Sequence, residues 1–262
     1  MTDLLLRLKP KERRGSKPRC HLLTHGSPEQ VAARLTRLIE PLGRVYVTDR
    51  WMPRGFTETD EAQLGRVDNL LDAASGKALV NWWLAVPKGA RVPHWDIAST
   101  CTIEGKPGLL LIEAKAHDEE LNYEEAGKKR EPNETAGQIW NREQICNRML
   151  EASAGFAIAT QLAWALSIEH HYQMSNRFAW AWKLTELGMS VILVYLGFLN
   201  ATEMSDRGIP FNNHKAWAQI VMSHSGMLFP DEVWNQRWRL NGETFMPLIK
   251  SIELPLNIES VE

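Results

Sequence analysis

Apolar residues recur at helical spacing early in the chain. Val31, Leu35, Leu38 and Ile39 fall on one face. Ahead of them stand Ser27, Pro28 and Gln30, an N-cap, a first-turn proline and the second half of a capping box. The pattern predicts a helix from Ser27, stopped by Pro41 and Gly43. Residues 44–48 read as a short strand and 51–55 as a loop. Val67, Leu70, Leu71 and Ala74 repeat at i, i+3, i+4 and i+7, predicting a second helix over 59–75 that Gly76 ends. Three strands are expected in close succession: 79–86, almost continuously apolar, then 92–103 and 109–116. Gly105, Pro107 and Gly108 mark a turn over 104–108.

Residues 117–134 are almost all charged or polar and predict an exposed insertion. Helical sequence resumes near Thr135 and runs, with a break near Gly155, to Leu187. Residues 191–199 are apolar on both faces, as in a central strand covered on both sides. Two helices near 212–224 and 230–238 and a last strand near 245–254 complete the pattern. The core order is helix, strand, strand, strand, helix, strand. Consecutive strands favour antiparallel hairpins, and the long helical crossover favours a parallel partner. The expectation is a single α/β domain over 1–262, with a mixed central β-sheet flanked by helices.

Composition narrows the classes. With 262 residues, 44% hydrophobic and 24% charged, the chain can bury a full core and is not disordered. Three dispersed cysteines exclude a disulfide framework and a four-cysteine zinc site and fit a reducing compartment. No apolar run reaches membrane-spanning length and the start lacks a secretory signal, so a soluble, cytoplasmic protein without membrane partners is expected. The net charge of −2 argues against a global basic field. Residues 1–26 nevertheless hold Arg7, Lys9, Lys11, Arg13, Arg14, Lys17 and Arg19, opposed within that run only by Glu12. This reads as a solvated basic N-terminal arm or as a phosphate-gripping one. Of the tryptophans, Trp82, Trp83, Trp180 and Trp182 are expected in the core, and Trp95 on the face away from Asp96. Trp51, Trp234 and Trp238 are expected partly buried or stacked on bases. Cys101 and Cys146 read as core residues. The sequence has no phosphate-cradling glycine loop, dinucleotide fingerprint or Ser-His-Asp arrangement, which disfavours kinase, P-loop and Rossmann readings.

The strand over 109–116 carries the chemistry. Alternation places Leu109, Leu111, Glu113 and Lys115 on one face. Burying either charge unpaired would cost several kcal/mol, so a partner, a metal or water must compensate. A turn centred near 105–106 sets Asp96 opposite Lys115 or Ala116, within cross-strand reach of Glu113. Two carboxylates and an ammonium then converge. Such oxygens suit Mg²⁺ or Mn²⁺, and the ion would activate water and offset charge on a phosphoryl oxygen. Lys115 would position that water or stabilise the developing charge. His117 lies two residues further on the same face and could relay a proton. His21 and His25 share a helix face but lack further ligands, and read as ordinary surface histidines. His170 and His171 read as helix residues or as phosphate contacts.

An Asp, a hairpin-length gap and a Glu-x-Lys ending an apolar strand resemble the PD-(D/E)xK nuclease superfamily, whose restriction-endonuclease-like core is αβββαβ. The resemblance covers residues 59–199. It implies that Asp96 and Glu113 ligate the metal, with the Ala114 carbonyl as a further ligand. Lys115 would be the catalytic lysine, Gln173 the polar residue of the following helix, and Glu61 or Asp68 an additional acid. Gln173 and Arg177 lie one turn apart. Two features depart from the pattern: Pro93 is not adjacent to Asp96, and about forty residues separate the lysine strand from that helix. The implied activity is metal-dependent hydrolysis of phosphodiester bonds in DNA or RNA, with DNA the first expectation. The alternative is a nuclease-like module that binds nucleic acid or protein without cutting. Cutting both strands of a duplex would call for a homodimer.

Overall fold

The capping box forms as expected. Ser27 Oγ accepts from Gln30 N, Gln30 Oε1 accepts from Ser27 N, and the helix Pro28–Ile39 follows. Its stripe of Val31, Leu35, Leu38 and Ile39 is buried. The protein was analysed as a computed structural model that describes residues 2–67, 69–121, 127–128, 130 and 132–256. Its helices are α1 (Thr2–Leu5), α2 (Ser16–Leu23), α3 (Pro28–Ile39), α4 (Ala73–Trp83), α5 (Ala136–Thr160), α6 (Tyr172–Glu186) and α7 (His214–Ser225). The strands are β1 (Gly43–Arg44), β2 (Trp51–Met52), β3 (Ile97–Ile103), β4 (Lys106–Lys115), β5 (Ser190–Leu199), β6 (Trp238–Leu240) and β7 (Glu243–Glu253).

All seven strands join one mixed sheet in the order β1-β3-β4-β5-β7-β6, with β2 also on β3. β3 is antiparallel to β1, β2 and β4, whereas β4–β5 and β5–β7 are parallel. The central strand β5 is buried on both faces, as its unbroken apolar run requires. On one face Cys20 and Leu23 of α2 and Val31, Leu35 and Ile39 of α3 pack on Ile97, Leu110, Ile112 and Val194. On the other, α4, α5, α6 and α7 pack on Leu109, Leu111, Leu193 and Tyr195. Among the described residues no helix is long and apolar enough to cross a membrane.

Several elements differ from the expectation. The described residues of 59–72 form no helix. Bridges join Gln63 to Val67 and Ala62 to Trp95, and the helix begins only at Ala73. Asp72 caps it by accepting from Ala74 N and Ser75 N at 2.9 Å, which outweighs the helical spacing upstream. The expected strand 79–86 is therefore largely α4, apolar because Leu79, Val80, Trp82 and Trp83 are all buried. A short apolar run does not distinguish a buried helix from a buried strand. The edge next to β3 is filled instead by β1 and β2, so the expected strand 44–48 shrinks to Gly43–Arg44 and the loop 51–55 contributes a strand. The helical stretch after Thr135 breaks at Gln161, a left-handed C-cap, and not at Gly155. The helix near 230–238 reduces to one 3-10 turn, Asp231–Val233. His117 and Leu121 are buried, so 117–134 is not exposed throughout.

The basic arm is folded into the body. Arg19 is buried, bonds Gly15 O and Leu254 O at 2.9 Å, and meets both carboxylate oxygens of Glu203. Trp51 and Trp234 are buried too, which leaves no face for base stacking.

Gly76 sits inside α4 against Gly65, where an added Cβ would lie 2.8 Å from the Gly65 Cα. Gly76→Ala is expected to lower stability by roughly 1–3 kcal/mol through overpacking. The measurement is the urea midpoint, and an unchanged midpoint would show that the two segments part freely.

Candidate active site

The hairpin sets the geometry. Glu104 and Gly105 both have positive φ, 51° and 80°, and Ile103 pairs with Lys106. This is the two-residue turn whose twist matches the strands. The pairing is shifted from the expected one. Ile97 lies opposite Ile112, so Asp96 falls opposite Glu113 and not Lys115 or Ala116. The consequence is a direct bond: Asp96 Oδ2 accepts from Ala114 N at 2.8 Å. The stretch before Ile97 is not strand, so Trp95 does not alternate away from Asp96. It stacks beneath the Arg177 guanidinium, 4.7 Å from the ring centre.

Glu113 is 1% exposed and occupied by three donors. Oε1 accepts from Lys115 Nζ at 2.7 Å and from Gln173 Nε2 at 2.6 Å, and Oε2 accepts from Arg177 Nε at 2.7 Å. Lys115 Nζ also donates to Gln173 Oε1 at 3.3 Å. Gln173 and Arg177, one turn apart on α6, thus both face the strand's charges. Arg177 also bonds His94 O at 2.5 Å and Asn176 Oδ1 at 2.8 Å.

Burial by itself would raise the Glu113 pKa, but the Arg177 and Lys115 charges and hydrogen bonds outweigh it and hold Glu113 below its ordinary value. Asp96 goes the other way. Burial pushes it well above the usual carboxylate range, the Glu113 charge adds to this, and Lys115 offsets only part. Glu61 adds a third negative charge. It is placed by the Ala62–Trp95 bridge and not by a helix, with Lys17 at 3.0 Å and His94 at 3.4 Å. Asp68 lies outside the described residues.

Lys115 and Gln173 line an open cleft of about 590 Å³, whose wall mixes Lys11, Arg14, Lys17, His117 and Arg207 with Glu12, Glu119 and Glu120. The folded N-terminal segment therefore walls the site. Arg14 pairs with Asp206, and Lys17 bridges Glu12 and Glu61.

Among the described residues no group of three or more His, Cys, Asp or Glu side chains is arranged to hold a metal. The donors present still suit a hard cation of the Mg²⁺ kind, which uses one or two carboxylates and keeps several waters. A carboxylate offers about four lone-pair directions, and Glu113 uses three. Asp96 Oδ1 takes no hydrogen bond among the described residues.

Two further pairs of histidines are singled out by the sequence or concealed in it. His21 is buried with Nδ1 3.0 Å from Gly55 O, and both it and His25 pack on Phe56. His171 meets His224, ring centres 4.1 Å apart, a pair that 53 residues of separation conceal in the sequence. Arg207 in the cleft wall was equally unmarked. Comparison with family models, curated proteins and solved structures returns no match for the chain.

Removing one partner of a buried ion pair strands the other charge. Arg177→Met is therefore expected to lower stability by about 3–5 kcal/mol, and adding Glu113→Gln is expected to recover part of the loss. Urea unfolding of the two single variants and the double measures the coupling; strict additivity would refute it. Burial, with the His171 and Lys115 charges, lowers the His224 pKa to about 3 from 6.5. A depressed folded-state pKa means that the unfolded chain binds more protons between those values. Stability is then held above pH 6.5 and falls as pH drops toward 3. His224→Gln is expected to flatten that stretch of the stability–pH curve.

Proposed function

We propose that the chain is a divalent-metal-dependent phosphodiesterase acting on nucleic acid, DNA first, built on a PD-(D/E)xK-like core. One observation carries the reading. Glu113, Lys115 and Gln173 of β4 and α6 share one hydrogen-bond network, Asp96 just before β3 bonds the intervening Ala114 N, and Lys115 and Gln173 line a cleft whose wall sets Lys11, Arg14, Lys17 and Arg207 against Glu12, Glu119 and Glu120. Part of the element order supports it: the antiparallel β3–β4 hairpin, the helices α5 and α6, then β5 parallel to β4. The full order from α3 to β5 is αββαββααβ, because α4 intervenes between the edge strands and β3, so the αβββαβ pattern is matched only from the β3–β4 hairpin through the helical crossover to β5.

In this reading Asp96, Glu113 and the Ala114 carbonyl hold Mg²⁺ or Mn²⁺. The ion supplies Lewis-acid stabilisation of charge on the phosphoryl group. Lys115 Nζ, fixed between Glu113 and Gln173, donates to the attacking water or to a non-bridging phosphate oxygen. Gln173 holds Glu113 and Lys115 in register with each other. Arg177 orients Glu113 and does not itself reach substrate. Lys11, Arg14, Lys17 and Arg207 meet flanking phosphates, which makes binding weaken with salt. Each chain carries one such site, so cutting both strands of a duplex would take two copies.

A second reading rests on a specific observation. Glu113 already has two cationic partners, Lys115 and Arg177, at 2.7 Å. A nuclease-like module that binds nucleic acid or protein without cutting would keep such a network for stability alone.

The test incubates the protein with supercoiled, linear and single-stranded DNA and with RNA, in Mg²⁺, Mn²⁺ or EDTA, beside Lys115→Ala. Cleavage that needs metal and is lost in the variant is the expected result. No cleavage, together with Mn²⁺ binding indifferent to Asp96→Asn and Glu113→Gln, would overturn catalysis in favour of the binding module.

A further inference from the structure

We propose that His117 is the general acid of this reaction, the group that protonates the oxygen leaving phosphorus. The inference rests on the phosphodiesterase reading above. His117 follows Lys115 by two residues, and its backbone extends β4 through a bridge to Pro210. Asp118 N donates to Ile209 O at 3.2 Å and Ile209 N donates to Asp118 Oδ1 at 2.7 Å, which locks the extension. Strand alternation therefore carries Glu113, Lys115 and His117 along one face.

The imidazole is 6% exposed and lines the cleft beside Lys115 and Gln173. Its two nitrogens are in different places. Nδ1 is buried without a hydrogen-bond partner among the described residues. Gly208 closes it off: a Cβ added there would stand 2.5 Å from Nδ1. Nε2 is the nitrogen left for a molecule in the cleft. Leaving a buried polar atom unpaired costs about 1–3 kcal/mol, and an apolar side chain at this position would avoid that cost. A ring held by its backbone, packed on a glycine and with one nitrogen left to the cleft is arranged to hand a proton to a molecule bound there. Lys115 is less suited, because Glu113 and Gln173 hold its ammonium.

The step balances without a co-reactant other than water. A water oxygen bonds to phosphorus as the bond from phosphorus to the sugar oxygen breaks. The departing oxygen takes the proton of Nε2, the water's proton passes to solvent, and solvent reprotonates the imidazole.

The test compares ordinary DNA oligonucleotides with ones carrying sulfur at the 3′ or 5′ bridging position, because a thiolate leaves without protonation. His117→Gln keeps an N–H near the position of Nε2 but cannot serve as an acid. It is expected to slow cleavage of ordinary DNA by about 100-fold or more, the usual reach of general acid catalysis. It should leave the sulfur substrate close to the wild-type rate, whereas Lys115→Ala is slow on both. Gly208→Ala, which forces the ring aside without replacing it, should give the same selective loss in smaller measure and serves if the first variant misfolds. An unimpaired His117→Gln, or equal losses on both substrates, would overturn the assignment while leaving the phosphodiesterase reading intact. A wild-type protein that cuts neither these substrates nor RNA, and whose Mn²⁺ binding is indifferent to Asp96→Asn and Glu113→Gln, would remove that reading, and this one with it.

Discussion

The Glu113 carboxylate cannot be buried in the sheet uncompensated, and the way it is compensated organises its surroundings. Arg177 ties β4 to α6. The rest of that guanidinium bonds His94 O and lies on Trp95, which fixes the backbone just before β3. Asp96 is the next residue, and its bond to Ala114 N returns the chain to β4. One negative charge thus sets the relative position of a helix and two strands, and Lys115 and Gln173 fall into place around it. The arrangement is demanding. Its net contribution to stability is modest once desolvation is counted, but any single deletion from it exposes the full penalty.

Much of this was readable from the sequence because it depends on short-range periodicity. Alternation along residues 109–115 put Glu113 and Lys115 on one face, and one-turn spacing put Gln173 and Arg177 on another. The two faces meet as those patterns imply. The hairpin register was readable only to within a couple of residues. Its turn uses Glu104 and Gly105, and a non-glycine residue in the left-handed region is a weak signal. The errors upstream have a common cause. Residues 67–74 have helical spacing and 79–86 are uniformly apolar, but Asp72 provides a cap and the space between Gly65 and Gly76 admits no side chain. Local hydrogen bonding and backbone contact decided the element, not the apolar period.

Charge density misled in a different way. The run from Arg7 to Arg19 has the composition of a solvated tail. Its carboxylate partners, Glu61, Glu203 and Asp206, lie far away in sequence, so no window along the chain reveals them. The same holds for His171 and His224. Clusters assembled across long separations are where sequence periodicity carries no information. They also supply most of the cleft wall, including Arg207.

Arg19 has one more consequence. It bonds Gly15 and Glu203 and reaches the carbonyl of Leu254, 235 residues along the chain. The Gly15 contact is local, but those to Glu203 and Leu254 span 184 and 235 residues and form only once those distant segments are present. The seating of the segment that walls the cleft thus carries the entropic cost of two very long loop closures. The cleft is accordingly the part of the molecule whose completion depends most on residues far apart along the chain.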